Sequence, residues 1–486
     1  MKVGVNSVIK KLEEIDQKMA STEFQYQNLI KDLNPSNQKN ARNFLHYLAL
    51  RSMDIREIQN QLHSLGLSSM ASAESHIRRQ LHAILNILGG SKMDGLPLYD
   101  ATSAQKSLHE KTVQLFCKNN EQHTPYIMVT CDTEIGLDHE KTKKLLLAGM
   151  NVARINCAHD NKKIWNNMIQ NIKSSSSETG IPCKIYMDLA GPKIRTVFKS
   201  KSKLKIEEGC LIRLVDESRI EDQKDTVGCT VPDIHKRLKP GEPVLFDDGT
   251  IETTVEKISK GFVFLRVKRI SAKKKQIKAE KGINFPNSKL NMPALTEFDI
   301  KCLPFIKRHA DMVGYSFVQS AADLMQLQQL LPHNEKLAII LKIETAEAVL
   351  NLPSLLLTGL KQQKLGVMIA RGDLAVEIGF ERMSEIQEEI LWLCEAAHVP
   401  VIWATQVLDN LNKLGMATRS EITDAAHAVQ AECVMINKGP HTIQTIETLR
   451  NILDRSGGHH AKKRHIFRPL NIASNFLDLN FTNDAI

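Results

Sequence analysis

The chain has 486 residues, of which 42% are hydrophobic and 24% charged, with a formal net charge of +9 at pH 7. That length predicts two to four domains, and the balance of apolar and charged residues excludes a disordered polymer. No apolar run approaches the ~20 residues that span a bilayer, the first residues lack the apolar core of a secretory leader, and the nine scattered cysteines form no disulfide framework, so a reducing cytoplasm is the expected compartment.

Residues 1–121 read as a helical extension. "NARNFLHYLALRSMDIREIQNQLHSLG" places apolar residues three and four apart, and Gly66 ends the pattern. "SAESHIRRQLHAILNILGG" repeats it, with Ser72 as the expected N-cap and Gly89 and Gly90 as the stop. Nothing in these residues points to chemistry; packing or homo-oligomeric assembly is the expected role.

From residue 127 the texture changes. Eight short apolar runs follow: "IMVTC", "VARINC", "KIYMD", "DMVGYSFV", "LAIILKI", "GVMIA", "VPVIWAT" and "CVMIN". Continuous rather than alternating apolar residues predict parallel strands buried on both faces. Eight such units, most followed by helical stretches, predict an α/β fold, the (β/α)₈ TIM barrel, over residues 122–196 and 285–457. Residues 197–284 interrupt it with turn signals such as "KPGEP" and "DDGT" around alternating stretches such as "FVFLRV". This reads as a small inserted β-barrel domain leaving the end of the third strand, where it would overhang the barrel mouth as a lid. Two basic runs, at 268–281 and 459–465, lack interleaved aromatic residues, a reading helix or a zinc pattern, which speaks against nucleic acid. Residues 458–486 read as a basic, then polar, tail.

In such barrels the chemistry sits where strands end. The runs here end in polar residues: Asp132 and Thr133, then Arg154, Asn156 and His159, then Asp188, Ser316, Lys342 and Glu344, Arg371 and Asp373, Thr405 and Gln406, Asn437 and Lys438. Glu344 and Asp373 follow neighbouring strands, and two facing carboxylates repel unless a cation separates them. Mg²⁺ or Mn²⁺ suits such a pair, because it takes few carboxylates and completes its shell with water and substrate oxygens. Lys342 stands two residues before Glu344, so in a strand both point the same way. A cation beside a metal suits a substrate that carries phosphate. Gly372 permits close backbone approach, and the amides of Gly372 and Asp373 at a helix start suit an anion.

The motifs "NVARINCAHD", "MDLAGPKIRT", "LFDDGTI", "KGINFPN", "ADMVGYSFV", "LKIETAEAV", "IARGDLAVEIG" and "VIWATQVLDN" resemble those of the pyruvate kinase family, in that family's order. The resemblance covers roughly residues 122–455 and places a β-barrel domain where the insertion was inferred. It implies phosphate transfer from phosphoenolpyruvate to ADP, giving pyruvate and ATP. It further implies that Lys342 stabilises the phosphoryl group, that Glu344 and Asp373 hold the divalent metal, and that Thr405 lies where the enolate is protonated. Gly372 and Asp373 amides would receive the substrate carboxylate. Arg154 and Arg195 would contact phosphates, and Asn156 and His159 lie where the family handles nucleotide phosphate. Potassium-dependent members have Ser, Thr and Glu where this chain has Ala158, Leu189 and Lys193. Around Asn156, Asp188 and Lys193 a tethered ammonium would then replace a potassium ion, so potassium independence is expected. The first strand carries "TCDTEIG" in place of the family's adenine-side motif, and only about 30 residues follow Asp454, too few for the family's C-terminal regulatory domain. The layout resembles a divergent bacterial group in which a helical extension replaces that domain. Two other readings remain at this level. One is a metal-dependent lyase or aldolase using a pyruvate enolate, and the other is a catalytically weak regulatory relative.

Overall fold

The computed structural model describes residues 4–90, 98–117, 124–199, 203–220, 225–272, 275–331, 336–461 and 464–465. Of the tail expected over residues 458–486, all but 458–461 and 464–465 lies outside them. Eight parallel strands close into one barrel: β1 (Tyr126–Thr130), β2 (Val152–Asn156), β3 (Lys184–Asp188), β4 (Met312–Tyr315), β5 (Ala338–Ile343), β6 (Leu365–Ala370), β7 (Val401–Ala404) and β8 (Cys433–Ile436). Each pairs with its neighbours in chain order, and β8 returns to β1. The eight apolar runs are therefore the eight staves, buried because helices cover one face and the barrel interior fills the other. The interior is packed with Met128, Tyr186, Met312, Ile340, Met368, Ile402 and Met435. No helix among the described residues is long and apolar enough to cross a membrane.

Five helices of the extension matter here: α1 (Val5–Gln25), α2 (Pro35–Arg51), α3 (Arg56–Ser64), α4 (Ile77–Leu88) and α5 (Ala101–Phe116). Val8, Leu12, Ile15 and Met19 line the buried stripe of α1 at helical spacing, and they join the same continuous core as barrel-side Ile386 and Ile390. The extension is thus packed in cis on its own barrel. The extension is helical as expected, with one break and one cap that differs. The helical pattern after residue 41 breaks at Ser52–Ile55, where the Asp54 carboxylate accepts the Arg56 N–H at 3.1 Å and starts a new helix. Ser72 does not cap the next helix: a 3-10 turn, Glu74–His76, leads into α4. There Asn43, from α2, accepts the Ile77 N–H at 3.2 Å and supplies the cap from a neighbouring helix.

Helix α2 buries polar side chains toward both the barrel and the rest of the extension. Asn37, Asn40, Asn43 and His46 recur every three residues and are all buried. Asn37 donates to the carbonyls of Leu360 and Gln362 at 2.8 and 2.7 Å, and Asn43 donates to Ala396 O at 2.8 Å. These side chains satisfy barrel-loop carbonyls that water cannot reach, which is what lets amides sit in a core. Helix α5 ends at Leu115 and Phe116, which belong to the barrel-interior cluster and plug its N-terminal end.

The insertion runs from the strand Thr196–Val197 to the strand Ile283–Asn284. It is a seven-stranded sheet with a separate two-stranded ribbon, and the sheet's two edges are hydrogen-bonded, Thr196 N–H to Lys281 O at 2.8 Å and Ile283 N–H to Ile194 O at 2.9 Å. The two edge strands meet at the hinge, through a bridge between Arg195 and Gly282. Its own core, including Leu214, Val227, Phe246, Ile251, Val263 and Leu265, is distinct from that of the main barrel. Alternating burial along Ile251–Val255 fits a sheet with one dry and one wet face.

Candidate active site

The C-terminal strand ends enclose a cavity of about 660 Å³ between barrel and insertion. All eleven residues nominated from sequence line it: Arg154, Asn156, His159, Asp188, Lys193, Arg195, Lys342, Glu344, Gly372, Asp373 and Thr405. Of the other strand-end residues, Ser316, Arg371, Gln406 and Asn437 also line it, whereas Asp132, Thr133 and Lys438 are not part of the wall.

Lys342, from β5, is buried on the cavity floor. Its ammonium lies 3.0 Å from Glu344 Oε1 and 3.3 Å from both Asp188 oxygens, and donates to Ser316 Oγ at 2.7 Å. The period of two along a strand puts Lys342 and Glu344 on one face. Burial alone would depress the Lys342 ammonium, but Asp188 and Glu344 outweigh it and raise it above its ordinary range. Asp188, from β3, also takes Arg154 Nε and Nη2 at 3.0 and 2.5 Å and the Tyr186 hydroxyl at 3.1 Å. Burial opposes its charge, yet Lys342 and Arg154 hold its carboxyl below the usual range. Gly314 in β4 makes room for this cluster, since a Cβ there would collide with Tyr186 Oη and Asp188 Oδ1.

Glu344 accepts the Phe317 N–H through Oε2 at 2.7 Å. Burial pushes its carboxyl above the usual range; Lys342 pulls it back, and Asp373 and Asp188 add to the rise. Asp373 opens α6 (Arg371–Ile378), and both its oxygens meet the Lys193 ammonium, at 2.9 and 3.1 Å. Residues Asn156, Asp188 and Lys193 thus line one cavity but make separate contacts. Asn156 Oδ1 accepts the Ala158 N–H at 3.0 Å, Asp188 is engaged by Arg154 and Lys342, and Lys193 sits on Asp373. Arg195, at the insertion hinge, donates to Glu280 O at 3.0 Å. His159 is fixed by its carbonyl, which accepts Trp165 Nε1–H at 2.8 Å. Glu344 and Asp373 are the acids that could take a hard divalent ion, because both line one polar cavity.

Three contributors were missed from the sequence. The Phe317 amide acts through backbone, which side-chain motifs do not advertise. Tyr186 reads as core. Asp424, which pairs with Arg371, lies 53 residues further along and has no local signature.

A closed parallel barrel, with acids and cations on one rim beneath an inserted β domain, defines the class of lidded (β/α)₈ proteins whose ligands bind at strand ends. The family model described as the pyruvate kinase barrel domain matches residues 127–441, and the chain belongs to that family. It is 32% identical over 306 residues to a cytosolic pyruvate kinase isozyme of Glycine max, covering 61% of this chain and 58% of the relative. It is 31% identical over 328 residues to a pyruvate kinase of Geobacillus stearothermophilus, covering 65% of this chain and 54% of the relative. With a pyruvate kinase of Clostridium acetobutylicum the identity is 32% over 314 residues, covering 63% and 64%. The chain therefore spans little more than half the length of the curated relatives it matches.

Proposed function

We propose that the chain transfers the phosphoryl group of phosphoenolpyruvate to ADP. The observation that carries this reading is the buried Lys342 ammonium, gripped by Asp188, Glu344 and Ser316 on the floor of a cavity that Asp373 also lines. In the reaction the bond from phosphorus to the enol oxygen breaks and a β-phosphate oxygen of ADP takes the phosphoryl group. The enolate left behind then accepts a proton at C3, and its C2–O becomes the ketone of pyruvate.

The roles follow the family resemblance, and the place of each residue on the cavity wall supports them. Lys342 and Arg154 offset the charge on the phosphoryl oxygens, which is where such reactions need help. Arg195 adds a cation at the lid hinge. The amides opening α6, of Gly372 and Asp373, receive the substrate carboxylate. Thr405 closes the face on which C3 is protonated. Asn156 and His159 lie on the nucleotide side. Glu344 and Asp373 would hold Mg²⁺ or Mn²⁺, which when bound supplies positive charge for the enolate and phosphoryl oxygens. Lys193 must release Asp373 for that. Ala158 and Leu189 offer no side-chain oxygen, and Asp188 is already neutralised by two cations, so potassium is not required. The cytoplasm is the compartment in which this reading places the chain.

The test is pyruvate formation from phosphoenolpyruvate with ADP or GDP, with and without Mg²⁺, Mn²⁺ and K⁺. Nucleotide- and metal-dependent turnover without K⁺ supports the reading. Pyruvate released without a nucleotide acceptor would mean that water takes the phosphoryl group, a hydrolase rather than a kinase, and would overturn it.

A further inference from the structure

The segment after β7 is built from unusual backbone. Thr405, Gln406 and Leu408 have φ of +73°, +58° and +50°. Left-handed conformations are unfavourable for side chains with a Cβ, and most of all for a β-branched threonine. Such strain persists where surrounding structure over-determines it. Here the surroundings are identifiable. Arg371, at the end of neighbouring β6, donates from Nε to Ala404 O at 2.8 Å and from Nη2 to Thr405 O at 2.7 Å. Its guanidinium lies 4.6 Å from the Trp403 ring centroid, so one face is stacked. Asp424, on helix α7 (Arg419–His427), takes the other side of the fork through both carboxylate oxygens. Gly372 completes the fit, since a Cβ there would come within 2.8 Å of Thr405 Cγ2.

We infer that Asp424 is a positioning residue for Thr405, acting through Arg371. The carboxylate fixes the guanidinium, the guanidinium fixes two consecutive carbonyls, and those carbonyls set the backbone from which the Thr405 side chain enters the cavity. The paired geometry matters because a planar fork held at both ends has one orientation, whereas an unpaired arginine has many. This inference rests on the reading that Thr405 serves the protonation step. It predicts a loss confined to that step: substrate carboxylate and phosphate meet other groups, so their binding does not depend on the clamp.

The experiment compares wild type with Asp424→Asn, Asp424→Glu and Arg371→Lys. The readouts are ATP formation from phosphoenolpyruvate and ADP, and exchange of the pyruvate methyl hydrogens with deuterated solvent. Asp424→Asn is expected to slow exchange and kcat by about ten- to a hundredfold, the scale of one charge-assisted bond, with KM for phosphoenolpyruvate moving less than about threefold. Asp424→Glu, which keeps the charge, is expected to recover part of the loss, and Arg371→Lys is expected to resemble Asp424→Asn. Crystal structures of wild type and Asp424→Asn read the positioning directly, and thermal melts exclude misfolding. Full exchange and turnover in Asp424→Asn overturns the inference. So does a loss with Thr405 still at positive φ and both carbonyls still held. Should wild type make no ATP, the functional reading falls. The clamp is then judged on the structures alone, where an unmoved Thr405 backbone in Asp424→Asn sinks it.

Discussion

At the scale of residues, the decisive feature is how few charges stand alone. Lys342 is buried with two acids and a hydroxyl within 3.3 Å. Removing it leaves buried Asp188 and Glu344 with one counter-ion fewer and, on the proposed reading, deprives the phosphoryl group of a cation. Lys342→Met is therefore expected to lower kcat by about 10²–10³-fold with a smaller change in KM, as losing one well-placed donor does; unchanged turnover in a steady-state assay would strip Lys342 of its role. Lys193 allows a different test. Its ammonium neutralises Asp373 at 2.9 Å. Lys193→Glu replaces that cation with a second acid, and potassium titrations of the variant are expected to show activation that the wild type lacks. If neither protein responds to potassium, the tethered-ammonium account is wrong. Much of this cluster was legible in the sequence. The spacing of Lys342 and Glu344 along one strand fixes their shared face, and strand ends locate Asp188 and Asp373. What could not be read was pairing across the barrel, such as Lys193 with Asp373 and Arg371 with Asp424. Those contacts depend on where unrelated segments arrive.

At the scale of elements, the eight staves were legible because strands buried on both faces leave continuous apolar runs. The helical extension was less so. The pattern of α2 predicts an ordinary apolar stripe, yet it buries Asn37 and Asn43 against barrel-loop carbonyls and Asn40 and His46 against groups within the extension. Amides in a core make sense only once those partners are known. The plug is apolar and makes a simpler prediction. Phe116 is fully buried against the barrel interior, so Phe116→Ala is expected to cost about 3–5 kcal/mol in urea unfolding. A loss under about 1 kcal/mol would mean that the plug is not part of the folded barrel. The contact between lid and barrel adds a pH-dependent element. Asn284, in the last lid strand, donates to Glu377 Oε1 of α6 at 2.9 Å. Burial raises the Glu377 carboxyl from 4.5 to about 6; Asn284 opposes the rise and Asp373 assists it. The folded state thus holds this proton more tightly than the unfolded state. Stability should fall as pH rises from 4.5 to about 6, by at most about 2 kcal/mol from this group. Urea unfolding of wild type and Glu377→Gln across that window should show the two curves diverging; parallel curves would contradict the assignment.

At the scale of the whole molecule, two units meet at the active rim and the third holds the other end. The barrel supplies the floor, the insertion hangs over the mouth from the end of β3, and the extension braces the opposite end through α5. The family match covers residues 127–441, the barrel and its insertion, and leaves the extension outside it. A single division of labour follows, in which the chemistry belongs to the strand ends and the stability of the barrel is shared with the extension. The most direct measurement is ATP formation from phosphoenolpyruvate and ADP at saturating Mg²⁺, for wild type beside Lys342→Met, Glu344→Gln and Asp373→Asn. The account predicts sustained turnover by the wild type and a fall of about a hundredfold or more in each variant. A wild type that forms no ATP, or variants that form it undiminished, would contradict it.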